Sequence, residues 1–179
     1  DSLADNNDTS ASAATKSTFY LDSDGDGYGS TTTGKYCDLP SGYSTLSTDC
    51  DDSTTVRSPG NTEVCDSGNV DEDCDSLADN NDTSASTSTK TTFYRDSDGD
   101  GYGSTTSAKY CDLPSGYSLY STDCDDSTTA RSPANTEVCD ASNVDEDCDS
   151  LADNNDTSAS TATKSTFYLD SDADGYGST

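Results

Sequence analysis

The chain has no histidine, methionine or tryptophan, only eight lysines and arginines, and no apolar run long enough to span a bilayer. Each shortage removes a class of function. Without histidine, and with no C-x2-C pair among the cysteines, the usual zinc constellations cannot be built. The imidazole and thioether donors that copper prefers are missing as well. Paired carboxylates abound and could suggest a glycosidase, but no histidine and no candidate activated nucleophile accompanies them, and acids so regularly spaced read as ligands; an enzyme is not expected. Thirty-six acids leave a formal charge of -28 over 179 residues, which makes nucleic acid and anionic membrane poor partners. Apolar residues are 28% of the chain, too few for a large oil-like core, and disorder is the plain reading of such numbers.

What is present argues against disorder. The segments LDSDGDGYGS at Leu21, RDSDGDGYGS at Arg95 and LDSDADGYGS at Leu169 recur every 74 residues, and residues 1–74 differ from residues 75–148 at twelve positions. This is a tandem array: repeat 1 over 1–74, repeat 2 over 75–148 and a partial repeat 3 over 149–179, with the phase a matter of convenience. The sequence is expected to be a window on a longer repetitive polymer. Polar Ser/Thr-rich spacers, about 2–18, 76–92 and 150–166, can bury little and are expected to be extended connectors. A short aromatic run, Phe19-Tyr20-Leu21, leads into the acidic loop, Lys35-Tyr36-Cys37 is the returning strand, and LPSGY (Leu39 to Tyr43) is a turn. The expected fold is mostly irregular, small all-β: tandem calcium- and disulfide-stabilised repeats with short hairpins in an extended, filament-like array.

The acids follow the grammar of a calcium loop. Asp22, Asp24 and Asp26 take positions 1, 3 and 5, Gly27 position 6 and Tyr28, through its carbonyl, position 7. The same holds for Asp96, Asp98, Asp100 and Tyr102, and for Asp170, Asp172, Asp174 and Tyr176, where Ala173 replaces a position-4 glycine. Position 12, normally a bidentate acid, is Thr33. The missing carboxylate is expected from STDCDD, as Asp51 or Asp52, with Asp125 or Asp126 in the second repeat. A second loop places Asp71, Asp73, Asp75 and Asp79 at positions 1, 3, 5 and 9, with Asp82 at 12 and Ser76 where glycine is expected; Asp145, Asp147, Asp149 and Asp153 repeat it. Two Ca2+ per repeat would remove four charges from the net -12 of residues 1–74, where they are densest. Calcium tolerates irregular cages of many oxygens better than magnesium or a soft metal does.

Eight cysteines, four per repeat, in a chain poor in core fit disulfides formed in an oxidising compartment. Four cysteines allow three pairings within a repeat; the pairing of neighbours is favoured, Cys37–Cys50 and Cys65–Cys74, then Cys111–Cys124 and Cys139–Cys148. Each such bond should contribute roughly 3 kcal/mol by restricting the unfolded chain.

DSDGDGYG, then CDLPSGY (Cys37 to Tyr43), TDCDD (Thr48 to Asp52), PGNTEVCD (Pro59 to Asp66) and DEDCD together resemble the MopE-type metal-binding repeats found in tandem in secreted and surface proteins of bacteria. More distantly they are similar to the aspartate-rich calcium repeats of thrombospondins. The resemblance covers nearly all of each repeat and implies an extracellular, cation-binding, structural or adhesive segment. Two departures stand out: Ser76 and Ser150 occupy places where the family has glycine, and the long Ser/Thr spacer is inserted after them. Each spacer carries an N-glycosylation sequon, at Asn7, Asn81 and Asn155. A sugar there would compete with Asp82 as a ligand, so Asp82 would be the first acid to leave the cage. The expected function is that of a structural component of an extracellular fibre or stalk, secreted, calcium-binding and glycosylated, whose partners are other copies of itself. The alternatives are the spacer of a surface adhesin and a copper sequestration protein.

Overall fold

The computed structural model describes residue 6 and residues 12–178. The chain divides into two compact units, residues 1–91 with 110–112, and residues 92–109 with 113–179. The boundary falls after the second spacer, so the first unit holds a whole repeat together with the spacer that follows it.

Each unit is built on a three-stranded antiparallel sheet. In the first, β1 (Ser17–Leu21) lies between β2 (Thr33–Tyr36) and β3 (Tyr43–Ser44). In the second, β4 (Thr91–Arg95) lies between β5 (Ser107–Tyr110) and β6 (Tyr117–Ser118). The β1–β2 register pairs Ser17 with Tyr36 and Tyr20 with Thr33, so the acidic loop is the tip of this hairpin. The turn Leu39 to Gly42 then returns β3 to the other edge of β1, pairing Leu21 with Tyr43. The aromatic run places one ring inside: Phe19 is 8% exposed and Phe93 is 4% exposed. Such short strands cannot stand without help from outside the sheet.

That help is polar. Among the described residues four buried side chains are apolar and eleven are serine, aspartate or glutamate, so hydrogen bonding, more than oil, organises the interior. The fold is thus mostly irregular and small all-β, as the composition suggests, and its helical pieces include single 3-10 turns at Ala13–Thr15, Asp79–Asn81 and Asp153–Asn155. The spacer does more than connect. Ala85 and Asp82 are buried, and the Ser86 N–H donates to the Glu63 carbonyl at 2.9 Å. Small side chains let this segment lie flat against the preceding repeat.

The disulfides correct the expected pairing. Cys50 bonds to Cys74, Cys124 to Cys148, and Cys65 to Cys111, while Cys37 and Cys139 are unpaired. None of Cys37–Cys50, Cys65–Cys74, Cys111–Cys124 and Cys139–Cys148 forms. The reason lies in the acidic loops. Cys74 is the fourth residue of the second loop, and that loop packs beside the segment carrying Asp49 and Cys50, with Cα atoms 5.6 Å apart. Cys65 faces the spacer, whose Asn80 reaches the next repeat: its Oδ1 accepts from the Cys111 N–H at 2.7 Å and its Nδ2 donates to the Asp112 carbonyl at 2.9 Å. Closing 24 and 46 residues, the two kinds of staple are worth about 3 and about 4 kcal/mol by the chain-entropy estimate.

Candidate metal centres

In the first loop the backbone wraps around Asp22. Its two oxygens accept from the N–H groups of Gly25 (2.8 Å) and Gly27 (3.2 Å). Asp24 and Asp26 each spend one oxygen on a backbone N–H two residues on, that of Asp26 and that of Tyr28. Their other oxygens, Oδ2 in both, are buried with no hydrogen-bond partner. An oxygen from each of Asp22, Asp24 and Asp26 lies within 4.8 Å of the others. Gly25 and Gly27 have φ of 83° and 96°, which only glycine adopts without strain.

A further acid reaches this loop from another segment, Asp49. The Gly29 N–H donates to the Leu46 carbonyl and the Asp49 N–H to the Gly29 carbonyl, so this strand-like segment runs beside the loop. Asp49 Oδ2 is a third buried oxygen without a partner, and Asp24, Asp49 and Asp52 form a second group within 4.8 Å. Asp52 therefore reaches the cluster, while its oxygens also accept from the Ser23 N–H and hydroxyl. Asp51 does not. It turns away to Arg57 at 3.1 Å and to the Ser53 hydroxyl, and Asp125 makes the same ion pair with Arg131. The three acids of this segment thus split between cluster and scaffold, because Asp49 and Asp52 lie on one side of the turn and Asp51 on the other.

Electrostatics carry the mark of this convergence. Burial, then repulsion from Asp26, Asp24 and Asp52, raises the Asp49 carboxyl above its ordinary value. Asp123 is raised by burial and by Asp100, Asp98 and Asp126, and Asp98 by burial and by its acidic neighbours. Asp51 moves the other way, lowered by the Ser53 hydroxyl first and helped by Arg57. Burial alone would raise Asp52, but the bonds from Ser23 outweigh it and the net shift is downward. Carboxylates forced together with inward oxygens unpaired are a receptor for a cation.

The second loop has the same backbone from different residues. Cys74 and Ser76 take φ of 59° and 75°, the left-handed conformations of Gly25 and Gly27, and Cys148 and Ser150 repeat them. The Ser76 N–H donates to Asp71 Oδ2 as the Gly27 N–H does to Asp22. Asp75 accepts from the Leu77 N–H, and the Ser84 hydroxyl bridges Asp73 and Asp82. Asp82 is 2% exposed while its neighbour Asn81 faces solvent. At this sequon the asparagine is therefore exposed and the aspartate buried. Asp79 is set apart. Its Oδ1 accepts from the Asp66 N–H at 3.0 Å, and it lies within 4.8 Å of the sulfurs of Cys65 and Cys111. Asp145, Asp147, Asp149 and Asp153 reproduce the arrangement, with Asp145 Oδ1 buried and unpartnered. In the third copy, Asp170, Asp172 and Asp174 keep the loop bonds but are exposed, and bonds led by that from the Gly175 N–H lower Asp170. Asn155 is exposed like Asn81, and Asn7 lies outside the described residues.

One residue class escaped the sequence reading. Glu63 and Glu137 are fully buried. Glu63 accepts from the N–H groups of Asp79 (3.1 Å) and Glu72 (2.9 Å), and Glu72 accepts in turn from Val64. Burial, opposed by the bond from Val64, and the nearby Glu63 raise the Glu72 carboxyl. This pair ties the second loop to the spacer turn. The available signal was residue type: the chain has four glutamates, 63, 72, 137 and 146, among 36 acids, and only the longer side chain spans this gap.

Fold and loops together define a disulfide-stapled tandem repeat with clustered, inward-facing carboxylates. Two of its segments carry a known motif: the model of the MopE copper-binding family, described as "Putative metal-binding motif", matches residues 49–80 and 123–154. Each match runs from Asp49, or Asp123, into the second loop as far as Asn80, or Asn154, short of Asp82 and Asp156. No curated protein and no solved structure matches the chain.

Proposed function

We propose that this chain is a calcium-ordered structural repeat of an extracellular fibre or stalk, glycosylated on its spacers and without enzymatic activity. The observation that carries the reading is the convergence of Asp22, Asp24, Asp26, Asp49 and Asp52, with three inward oxygens unpaired in each full repeat. An all-oxygen, multiply charged donor set suits a hard cation with high coordination number, and calcium fits that better than magnesium. Two ions per repeat would offset the charge that opposes a compact state. The staple from Cys65 to Cys111 supports a load-bearing role, because it makes the link between successive repeats covalent. Disulfides favour an oxidising, extracellular setting, and no helix among the described residues is long and apolar enough to cross a membrane. Near-identical units joined only to their neighbours extend in one dimension.

Copper capture is the second reading, favoured by the name of the matching family. The oxygen donors and the engagement of six cysteines in disulfides weigh against it, since copper prefers softer ligands. An adhesin spacer shares the same repeat physics. The deciding experiment is electron microscopy of the native material before and after chelation, with metal content measured in parallel. Fibres that carry calcium and soften on chelation support the proposal; copper as the bound metal, or isolated particles indifferent to chelator, overturns it.

A further inference from the structure

The first loop of each full repeat is assembled from the same two segments. Residues 22–32 are identical to 96–106, and residues 47–55 to 121–129. The backbone joins them in the same way: the Gly29 N–H donates to the Leu46 carbonyl at 2.9 Å and the Asp49 N–H to the Gly29 carbonyl at 3.2 Å, while in the second repeat the Gly103 N–H donates to Tyr120 at 2.8 Å and the Asp123 N–H to Gly103 at 3.1 Å. Within this constant frame one charge changes. Leu21 ends β1 immediately before Asp22, and Arg95 ends β4 immediately before Asp96. Their N–H groups donate alike, to the carbonyls of Thr32 and Thr106, and each residue pairs with a tyrosine on the edge strand, Tyr43 or Tyr117. The other exchange beside the acids, Leu46 for Tyr120, is neutral.

Arg95 reaches the acids through one serine. Its Nε donates to Ser97 Oγ at 3.0 Å, and that hydroxyl donates to Asp126 Oδ2 at 2.9 Å while the Ser97 N–H donates to the other oxygen. Asp126 is the counterpart of Asp52, which gathers with Asp24 and Asp49. A hydroxyl that accepts from a guanidinium is the stronger donor, so Asp126 is held more firmly by the protein than Asp52, whose bonds from Ser23 lie beside Leu21. Burial would raise the Asp126 carboxyl, but the bonds from Ser97 and Ser104 and the charge of Arg95 hold it below its ordinary value. A cation entering here meets a positive charge and an acid already engaged. Both oppose it.

We infer that Arg95 sets the affinity of the second repeat's first loop, weakening calcium there so that two cages of identical acids fill in order, repeat 1 before repeat 2. This rests on the reading of the acids as a calcium site and adds to it a graded response. Repeats that differ in this way become ordered over a wider range of calcium than identical ones would. One positive charge at this remove, near the protein surface and at low ionic strength, should lower affinity about fivefold.

The test is a calcium titration of the full chain from the chelated state, at low ionic strength, followed by hydrogen exchange and mass spectrometry. The loop amides of Gly25 and Gly27 bond to Asp22, and those of Gly99 and Gly101 to Asp96; peptides spanning Leu21 or Arg95 differ in mass, so each loop reports its own midpoint. Protection of the second loop should require about five times more calcium than that of the first. Arg95→Gln keeps a donor for Ser97 and removes the charge, and should bring the two midpoints together. Leu21→Arg should move the first midpoint up to that of the second, at a strand position that Arg95 shows can hold an arginine. Peptide mapping of Cys50–Cys74 and Cys124–Cys148 in both variants separates a changed affinity from a lost fold. Equal midpoints in the unaltered chain, a gap that survives Arg95→Gln, or a first midpoint unmoved by Leu21→Arg would each overturn the inference and leave the calcium reading standing. Loops that gain no protection from calcium in either repeat would overturn the calcium reading and the inference with it.

Discussion

Asp49 and Asp24, twenty-five residues apart in sequence, turn unpaired buried oxygens into one cluster. The loop that begins at Asp22 is therefore completed from another segment, held alongside by the backbone bonds between Gly29 and Leu46 and between Asp49 and Gly29. A cation held by both segments would couple its binding to tertiary structure, because these acids gather only when the two segments meet.

Removing the Asp49 carboxylate should weaken the site without unfolding its loop. Asp49→Asn keeps the acceptor for the Asp51 N–H and deletes one negative charge from the cage. Calcium affinity of the first repeat should fall about tenfold, roughly 1.4 kcal/mol, measured by isothermal titration. Asp51→Asn should leave calcium affinity within about twofold, since its carboxylate faces Arg57. Equal losses at the two positions would contradict the assignment of Asp49 over Asp51.

Acid should act with opposite sign on the cation-free and cation-bound forms. In the free form Asp49, Asp98 and Asp123 are raised above 3.8. A raised carboxyl binds protons more readily folded than unfolded, so it favours the fold at low pH and loses that contribution as pH climbs through the folded value. Asp51 and Asp125 are lowered, so theirs is present above 3.8 and lost as pH falls through the folded value. Chelated protein should therefore gain stability on acidification toward pH 4 and lose it again below. With calcium the trend above pH 4 should reverse, because protons then displace the ion. Thermal melts across pH 3–7 with and without chelator would reveal the crossing, and parallel curves would contradict it.

How far the sequence could be read follows from the kind of information each feature needs. The hairpin around Asp22, the turn at LPSGY and the acidic spacing are local, and they stand in the chain as they stand in the fold. Asp49 was out of reach because its selection over Asp51 depends on which side of a turn faces the loop, and Arg57, six residues on, decides it. The disulfides failed for a related reason. Loop-closure entropy favours neighbours weakly, growing only with the logarithm of length, so packing of the second loop against Cys50 and the reach of Asn80 into the next repeat overrode it. Glu63 was hidden among acids, its burial a property of hydrogen bonds made with residues nine and sixteen positions on.

The second loop holds an improvable residue. Ser76, at φ 75°, occupies the position that glycine fills in the first loop, and an L-residue there costs about 1–2 kcal/mol. Ser76→Gly relieves that cost against a smaller penalty from the greater entropy of glycine in the unfolded chain. The calcium-bound protein should gain about 1 kcal/mol, seen as a higher melting temperature, with calcium affinity of that loop unchanged or tighter. A destabilised variant would mean that the serine makes a compensating contact.

The sequons supply a test that separates sugar from cation. Asn81 is exposed on its 3-10 turn, while Asp82 is buried and shares the Ser84 hydroxyl with Asp73. Because the two side chains face opposite ways, Asn81→Gln in the native host should lower the intact mass by one glycan and leave calcium binding untouched. Asp82→Ala keeps the sequon, since its middle residue is free except for proline, and should weaken the second loop about tenfold, roughly 1.4 kcal/mol, while the glycan remains. Loss of calcium affinity in Asn81→Gln would couple the sugar to the cage after all, and an unchanged mass would show that Asn81 is bare.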